Sequence, residues 1–259
     1  MPAGEVYIGT SGWNYRHWAN GRFYPSKLPT RRWLEFYATR YNTVEVNSSF
    51  YRIPTAASMR AWADTTPPGF RFALKIWRGI THYRKLLDCR DLLEQYFAVI
   101  GTLEAWLRAP LLLQLPPHFQ KDLPRLDEFI DELRAVAGTG WSLAVEFRDP
   151  SWLAPDTYRL LDRRRVSLAL VDGRCPSTEP NETPTIYVRR HGANRDGRYT
   201  TKQIEADAAR IRGWRDAGRT VYVYYNNDLH GHAVDNAAQL ADLLGVKPPE
   251  RTKSEGELF

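Results

Sequence analysis

Eight short apolar runs, rich in β-branched and aromatic residues, recur along the chain: VYIGTSG (6–12), NTVEVNSSF (42–50), FRFALKIW (70–77), PLLLQLP (110–116), SLAVEFRD (142–149), VSLALVDG (166–173), TIYVRRHG (185–192) and TVYVYYNND (220–228). Segments with helical spacing separate them at 30–40, 55–64, 90–107, 123–137, 155–164, 200–216 and 232–244, whereas RCPSTEPNETP (174–184) reads as a loop. Alternation of strand and helix favours parallel strands, because each crossover helix returns the chain to the same end of the sheet. Eight such units in 259 residues predict an α/β chain, a single (β/α)8 TIM-like barrel over residues 1–246, with a polar, Pro-rich tail over 247–259. An open doubly wound sheet is the runner-up. No G-x-G-x-x-G follows the first run, which weakens a dinucleotide-binding version of it. Thr55 and Asp122 stand where helix N-caps are expected, and Pro155 falls in a first turn.

In a barrel, alternate strand residues face inward and the others pack on helices. Setting Val44 and Val46 against helices turns Glu45, Asn47 and Ser49 inward. The same phasing points Gly9, Ser11 and Trp13, then Lys75, Gln114, Glu146 with Arg148, Asp172, Arg189 with His191, and Tyr224 with Asn226 toward the axis. Nearly every run thus starts apolar and becomes polar toward its C-terminal end, where TIM-barrel active sites lie. Charges gathered there must be paired, hydrated or met by a ligand.

The set mixes Lys75, Arg148, Arg189 and His82 with Glu45, Glu146 and Asp172. Such a mixture suits a phosphate or carboxylate bound beside an acid/base pair. On this reading Lys75 and Arg189 hold the anion, Glu45 or Glu146 moves protons, and Asn47 and Asn226 orient the substrate. A buried Lys75 also suits a base or a Schiff-base former; an ion pair with Glu45 or Glu146 is the structural alternative. Among 33 aromatics (nine Trp, fourteen Tyr, ten Phe), Trp13, Tyr15, Phe50, Tyr51, Trp77 and Tyr224 are placed to stack on a sugar or base. A divalent metal is the less favoured reading, since inward Lys and Arg repel a cation, and HGH (230–232) reads as the turn into the last helix.

Net charge of +6 permits a nucleic-acid partner. The basic runs RKLLDCR (84–90) and RLLDRRR (159–165) contain acidic residues and read as solvated helix faces. Two cysteines make no disulfide framework, no run approaches a membrane span, and no secretory leader is visible; the expected compartment is the cytoplasm.

Several longer motifs then carry a resemblance: GTSGWNYRHW (9–18) with FYP (23–25), VEVNSSFYRIP (44–54), FRFALK (70–75) with ITH (80–82), LLLQLPPHF (112–119), EFRDPSW (146–152), YVRRHG (187–192) and VYVYYNNDLHGHAVDNA (221–237). In this order, over nearly the whole chain, they resemble the YecE-like family, domain-of-unknown-function family 72. The resemblance implies a one-domain TIM-like barrel and no particular reaction. Fold analogy extends it to the apurinic-endonuclease and sugar-isomerase kind of barrel. Those barrels surround metals with His, Asp and Glu, in which this chain is poor. The family motifs fall on Glu45, Lys75, Glu146 and His191 as catalytic candidates. They also fall on Ser11, Trp13, Tyr15, Asn47, Ser48, Tyr51, His82, Gln114, Arg148, Arg189, Asn226, Asn227 and Asp228 as substrate-binding candidates. The favoured function is an enzyme (hydrolase, lyase or isomerase) acting on a small anionic substrate. A nucleic-acid-processing protein and a non-catalytic binding module are the alternatives.

Overall fold

The computed structural model describes residues 2–173, 175–192 and 196–250. Its strands are β1 (Val6–Thr10), β2 (Thr43–Val46), β3 (Arg71–Leu74), β4 (Leu111–Gln114), β5 (Leu143–Glu146), β6 (Ser167–Val171), β7 (Thr185–Arg190) and β8 (Thr220–Tyr225). The helices are α1 (Trp33–Ala38), α2 (Ser48–Tyr51), α3 (Ala56–Thr65), α4 (Arg90–Ile100), α5 (Leu123–Ala137), α6 (Pro155–Arg163), α7 (Thr201–Asp216) and α8 (His232–Leu244). Thr55 and Asp122 cap α3 and α5 by accepting from Ser58 N and Arg125 N, each at 3.1 Å. The segment expected to be helical over 90–107 stops at Ile100, where Gly101 caps it; Leu103 then turns into the core. No helix lies between β6 and β7 among the described residues. Of the expected tail, 247–250 form neither helix nor strand, and 251–259 lie outside the described residues.

All strand pairings are parallel, but the backbone ladder is not the continuous eight-strand ring expected. Six strands curl into a half-barrel in the order β1-β8-β7-β6-β5-β4, and β2 pairs with β3 separately. Each seam is bridged by other means, because buried backbone groups need partners. Between β3 and β4, Ala109 N donates to Phe72 O at 3.0 Å and Ile76 N to Leu112 O at 2.9 Å. Between β1 and β2, side chains replace the ladder. Asn42 accepts from Ile8 N at 2.8 Å and donates to Val6 O at 2.9 Å; the Tyr37 hydroxyl accepts from Thr10 N at 2.8 Å and donates to Thr43 O at 3.1 Å. Gly9 makes this approach feasible, since a Cβ there would lie 2.0 Å from Thr43 O.

The two faces of the strands fill differently. Val44, Val46, Phe72, Leu74, Leu113, Val145 and Val223 join the helices in the main core. Tyr7, Ala73, Leu112, Ala144, Ala169, Tyr187, Tyr222 and Tyr224 form a second, inner cluster. Tyr7 stacks on Tyr222 with ring centroids 4.7 Å apart. Alternation therefore holds, with one exception: β6 turns Ala169 and Val171 inward, so Asp172 is out of the inward phase. The basic runs are laced with carboxylates. Arg90 pairs with Glu94 at 3.0 Å, and Arg164 of the α6 C-cap pairs with Asp131 of α5 at 2.6 Å. No helix among the described residues is long and apolar enough to cross a membrane.

Candidate functional site

Four strand ends deliver a charged cluster above the inner tyrosines. Arg189 of β7 is 1% exposed and sits at its centre. Its Nε and Nη2 donate to Glu45 Oε2 and Oε1 of β2 at 3.0 and 2.8 Å, and its Nη1 donates to Glu146 Oε2 of β5. Tyr187 adds a 2.6 Å bond to Glu45 Oε2, and Gln114 of β4 a 2.9 Å bond to Glu146 Oε1. Arg148 forms an ion pair with Glu146 through Nε, without an aligned hydrogen bond. Burial alone would push both carboxyls up, but Arg189 overrides it. Glu45 is held below its ordinary value, and Glu146, with Arg148 also beside it, is held at about 2.

This pairing bears on two expected roles. Arg189 spends four of its five donors on Glu45, Glu146 and His191, so its charge is largely committed within the protein. Glu45 and Glu146 are held ionised by Arg189, which makes each a weaker proton acceptor than an ordinary carboxylate.

Lys75 is the exception to this pairing. The residue follows β3 and is 8% exposed, yet it makes neither of the ion pairs allowed for it. Its Nζ lies 3.9 Å from the centroid of the Phe50 ring of α2, a cation–π contact. Burial, then the nearby Arg189 guanidinium, lowers its pKa to about 8, with Glu45 and Glu146 offsetting only part of this. Beside it stands His82, carried by a single π-helical turn (Gly79–Tyr83); it packs edge-on against Phe50 and bonds Thr81 Oγ1 through Nδ1 at 2.8 Å. Burial and Lys75 lower His82 to about 4. His191 falls likewise to about 4 through burial and Arg189, so it is neutral near pH 7 rather than cationic. Its Nδ1 meets Asn226 Nδ2 at 3.1 Å.

The other candidates divide. Trp13, Tyr15, Asn47, Ser48 and Tyr51 line a groove next to this cluster, and Tyr15 bonds Ser11 O at 2.6 Å. Asn227 and Asp228 are drawn away into structural contacts. Asn227 Nδ2 holds Gly197 O and Asn236 Oδ1, both at 2.8 Å, and Asp228 accepts from Trp18 Nε1 at 2.7 Å and pairs with His17 at 3.0 Å. Asp172 holds the His191 backbone N at 2.8 Å and accepts from Tyr199 OH, so it positions β7's end rather than facing the cluster. Sequence reasoning missed Trp62, which reaches the groove from α3, and the part played by Tyr187, although its inward phase was legible. Among the described residues, no three His, Cys, Asp or Glu side chains converge as a metal would need.

Residues 7–257 match the family model described as "Protein of unknown function DUF72". The chain belongs to the DUF72 family. DUF72 relatives include UPF0759 protein YunF of Bacillus subtilis (strain 168), 26% identical across 98% of this chain and all of that protein. UPF0759 protein YecE of Escherichia coli (strain K12) is 30% identical over 65% of this chain and 60% of its own length. A DUF72 family protein of Thermotoga maritima MSB8 superposes with a TM-score of 0.82 at 27% identity, covering 93% of this chain and 99% of that one. A sugar phosphate isomerase/epimerase of Parabacteroides distasonis ATCC 8503 reaches 0.52 at 13% identity, covering 96% of each chain, a likeness of fold alone. The DUF72 chain thus shares a TIM-barrel-like architecture with proteins of unrelated sequence.

Proposed function

We propose that the eight strands work as one closed (β/α)8 barrel whose C-terminal end is an enzyme active site for a small phosphorylated or carboxylated substrate. One observation carries this: Lys75 is a buried amine that makes no direct ion pair among the described residues, while Glu45, Glu146 and Arg189 beside it are paired with one another. An uncompensated buried cation is costly, so the site is completed by an anion. With its pKa at about 8, Lys75 also has an unprotonated fraction near neutral pH. That fraction can take a proton from carbon or oxygen, or attack a carbonyl. His82 stands beside Lys75 as a neutral imidazole. The Glu45–Arg189–Glu146 network holds the floor of the pocket and sets its potential. A hydrolase, lyase or isomerase can be built on this; the fold likeness to a sugar phosphate isomerase/epimerase does not choose among them.

Binding of inorganic phosphate and 3-phosphoglycerate to the full chain, read by ligand-observed NMR, tests the proposal. Lys75→Met should weaken both by more than about tenfold while leaving the urea midpoint equal or higher. Equal binding by parent and variant would refute it.

A nucleic-acid partner is the second reading, and one feature favours it. The rings of exposed Tyr51 and Tyr83 each lie 5.5 Å from the Arg78 guanidinium, a group of aromatic and cationic side chains suited to stacking on unpaired bases. A mobility-shift titration with single-stranded DNA and RNA at low salt should then show binding that falls steeply with salt. No shift with either would remove this reading.

A further inference from the structure

After β2 the chain turns two ways around one short helix. Phe50 of α2 lies under the Lys75 ammonium. Ser48 and Tyr51 of the same helix, with Asn47 before it, face a separate groove of about 490 Å³ completed by Trp13, Tyr15 and Trp62. Helix α2 therefore borders both the Lys75 amine, through Phe50, and the groove, through Ser48 and Tyr51.

The groove is largely apolar and its aromatic rings are fixed. Trp13 meets Trp62 edge-on at 5.4 Å, and Trp62 stacks on Phe72 at 5.6 Å. One oxygen on the groove's lining residues lacks a partner. Asn47 donates through Nδ2 to Ser11 O at 3.3 Å but leaves its Oδ1 buried and unbonded. Buried polar atoms of this kind are uncommon and favour a ligand that satisfies them.

We infer that the groove is a sugar-ring subsite, so that the substrate is a sugar bearing a phosphate or carboxylate, its charge at Lys75 and its ring against Trp13 and Tyr51. The inference rests on the anion pocket proposed above. A sugar ring offers a C–H face that suits the electron-rich faces of indole and phenol rings. Its hydroxyls donate to Asn47 Oδ1 and exchange hydrogen bonds with Ser48. An aliphatic chain would leave Asn47 Oδ1 unpaired, and a short linear acid would leave the aromatic rings uncovered.

Calorimetric titration of the full chain decides this, with inorganic phosphate, glycerol 3-phosphate, uridine monophosphate, hexose 6-phosphates, pentose 5-phosphates and hexuronates as probes. At least one sugar anion should bind about tenfold or more tightly than glycerol 3-phosphate. That gain should vanish in Trp13→Ala and in Tyr51→Ala. Tyr51 is 62% exposed, so its truncation reads the groove without threatening the fold. If sugar anions bind no better than glycerol 3-phosphate while Lys75→Met still weakens phosphate, the ring subsite is overturned and the anion pocket stands. If uridine monophosphate alone gains through Tyr51, the groove takes a base and the sugar assignment is overturned. If no probe binds, both readings are overturned.

Discussion

Arg189, Glu45 and Glu146 behave as one unit, and their titration exposes it. Glu146 lies at about 2 in the folded chain against an ordinary 4.5, so its contribution is complete above about pH 4.5 and disappears as pH falls toward 2. Urea midpoints measured from pH 7 down to 2.5 should fall through that window for the parent. Glu146→Gln should be about 3–5 kcal/mol less stable at pH 7, because it leaves buried Arg189 short of a partner, and should lose less below pH 4.5. An unchanged profile would mean the network is not formed. The inward position of these groups was legible from the alternation around Glu45, Glu146 and Arg189. Their roles were not, because phasing says which way a side chain points and not what it meets. Hence Arg189, expected to hold a ligand, gives four of its five donors to its neighbours, and Lys75, for which an ion pair was allowed, makes none among the described residues. Asn227 and Asp228 had motif positions like those of Asn226, but beyond a strand end the two-residue period no longer governs direction.

At the scale of elements, strand count and order were legible from period and punctuation, since each apolar run is short and bounded by a cap, glycine or proline. The seams were not. Whether two adjacent strands share a ladder depends on backbone separation, which a sequence does not encode locally. Here Asn42 and Tyr37 substitute for ladder bonds between β1 and β2. Asn42→Ala strands Ile8 N and Val6 O in a buried seam and should cost about 2–5 kcal/mol in urea unfolding. Hydrogen exchange at Ile8 should rise with it. A loss under about 0.5 kcal/mol would show that the seam does not depend on this side chain. The π-helical turn carrying His82 was equally hidden, because such turns have no compositional signature.

For the whole molecule, the organising feature is a gathering of polar strand ends over an inner layer of tyrosine and alanine, in which one amine is left uncompensated. The family and the TIM-barrel-like α/β architecture were legible because long motifs run in order along nearly the entire chain; the division of the ladder into six strands and two was not. The reaction was not, because chemistry resides in which group is left free, and that emerges only when all pairings are drawn. The most direct test is therefore the protonation of Lys75 itself, followed by NMR of ¹³C-labelled lysine methylene groups across pH 6 to 12 and assigned with Lys75→Met. The account predicts a signal absent from that variant that titrates near 8 and moves toward a higher pKa when phosphate is added. A Lys75 signal that titrates near the ordinary 10.5 and ignores phosphate would contradict it.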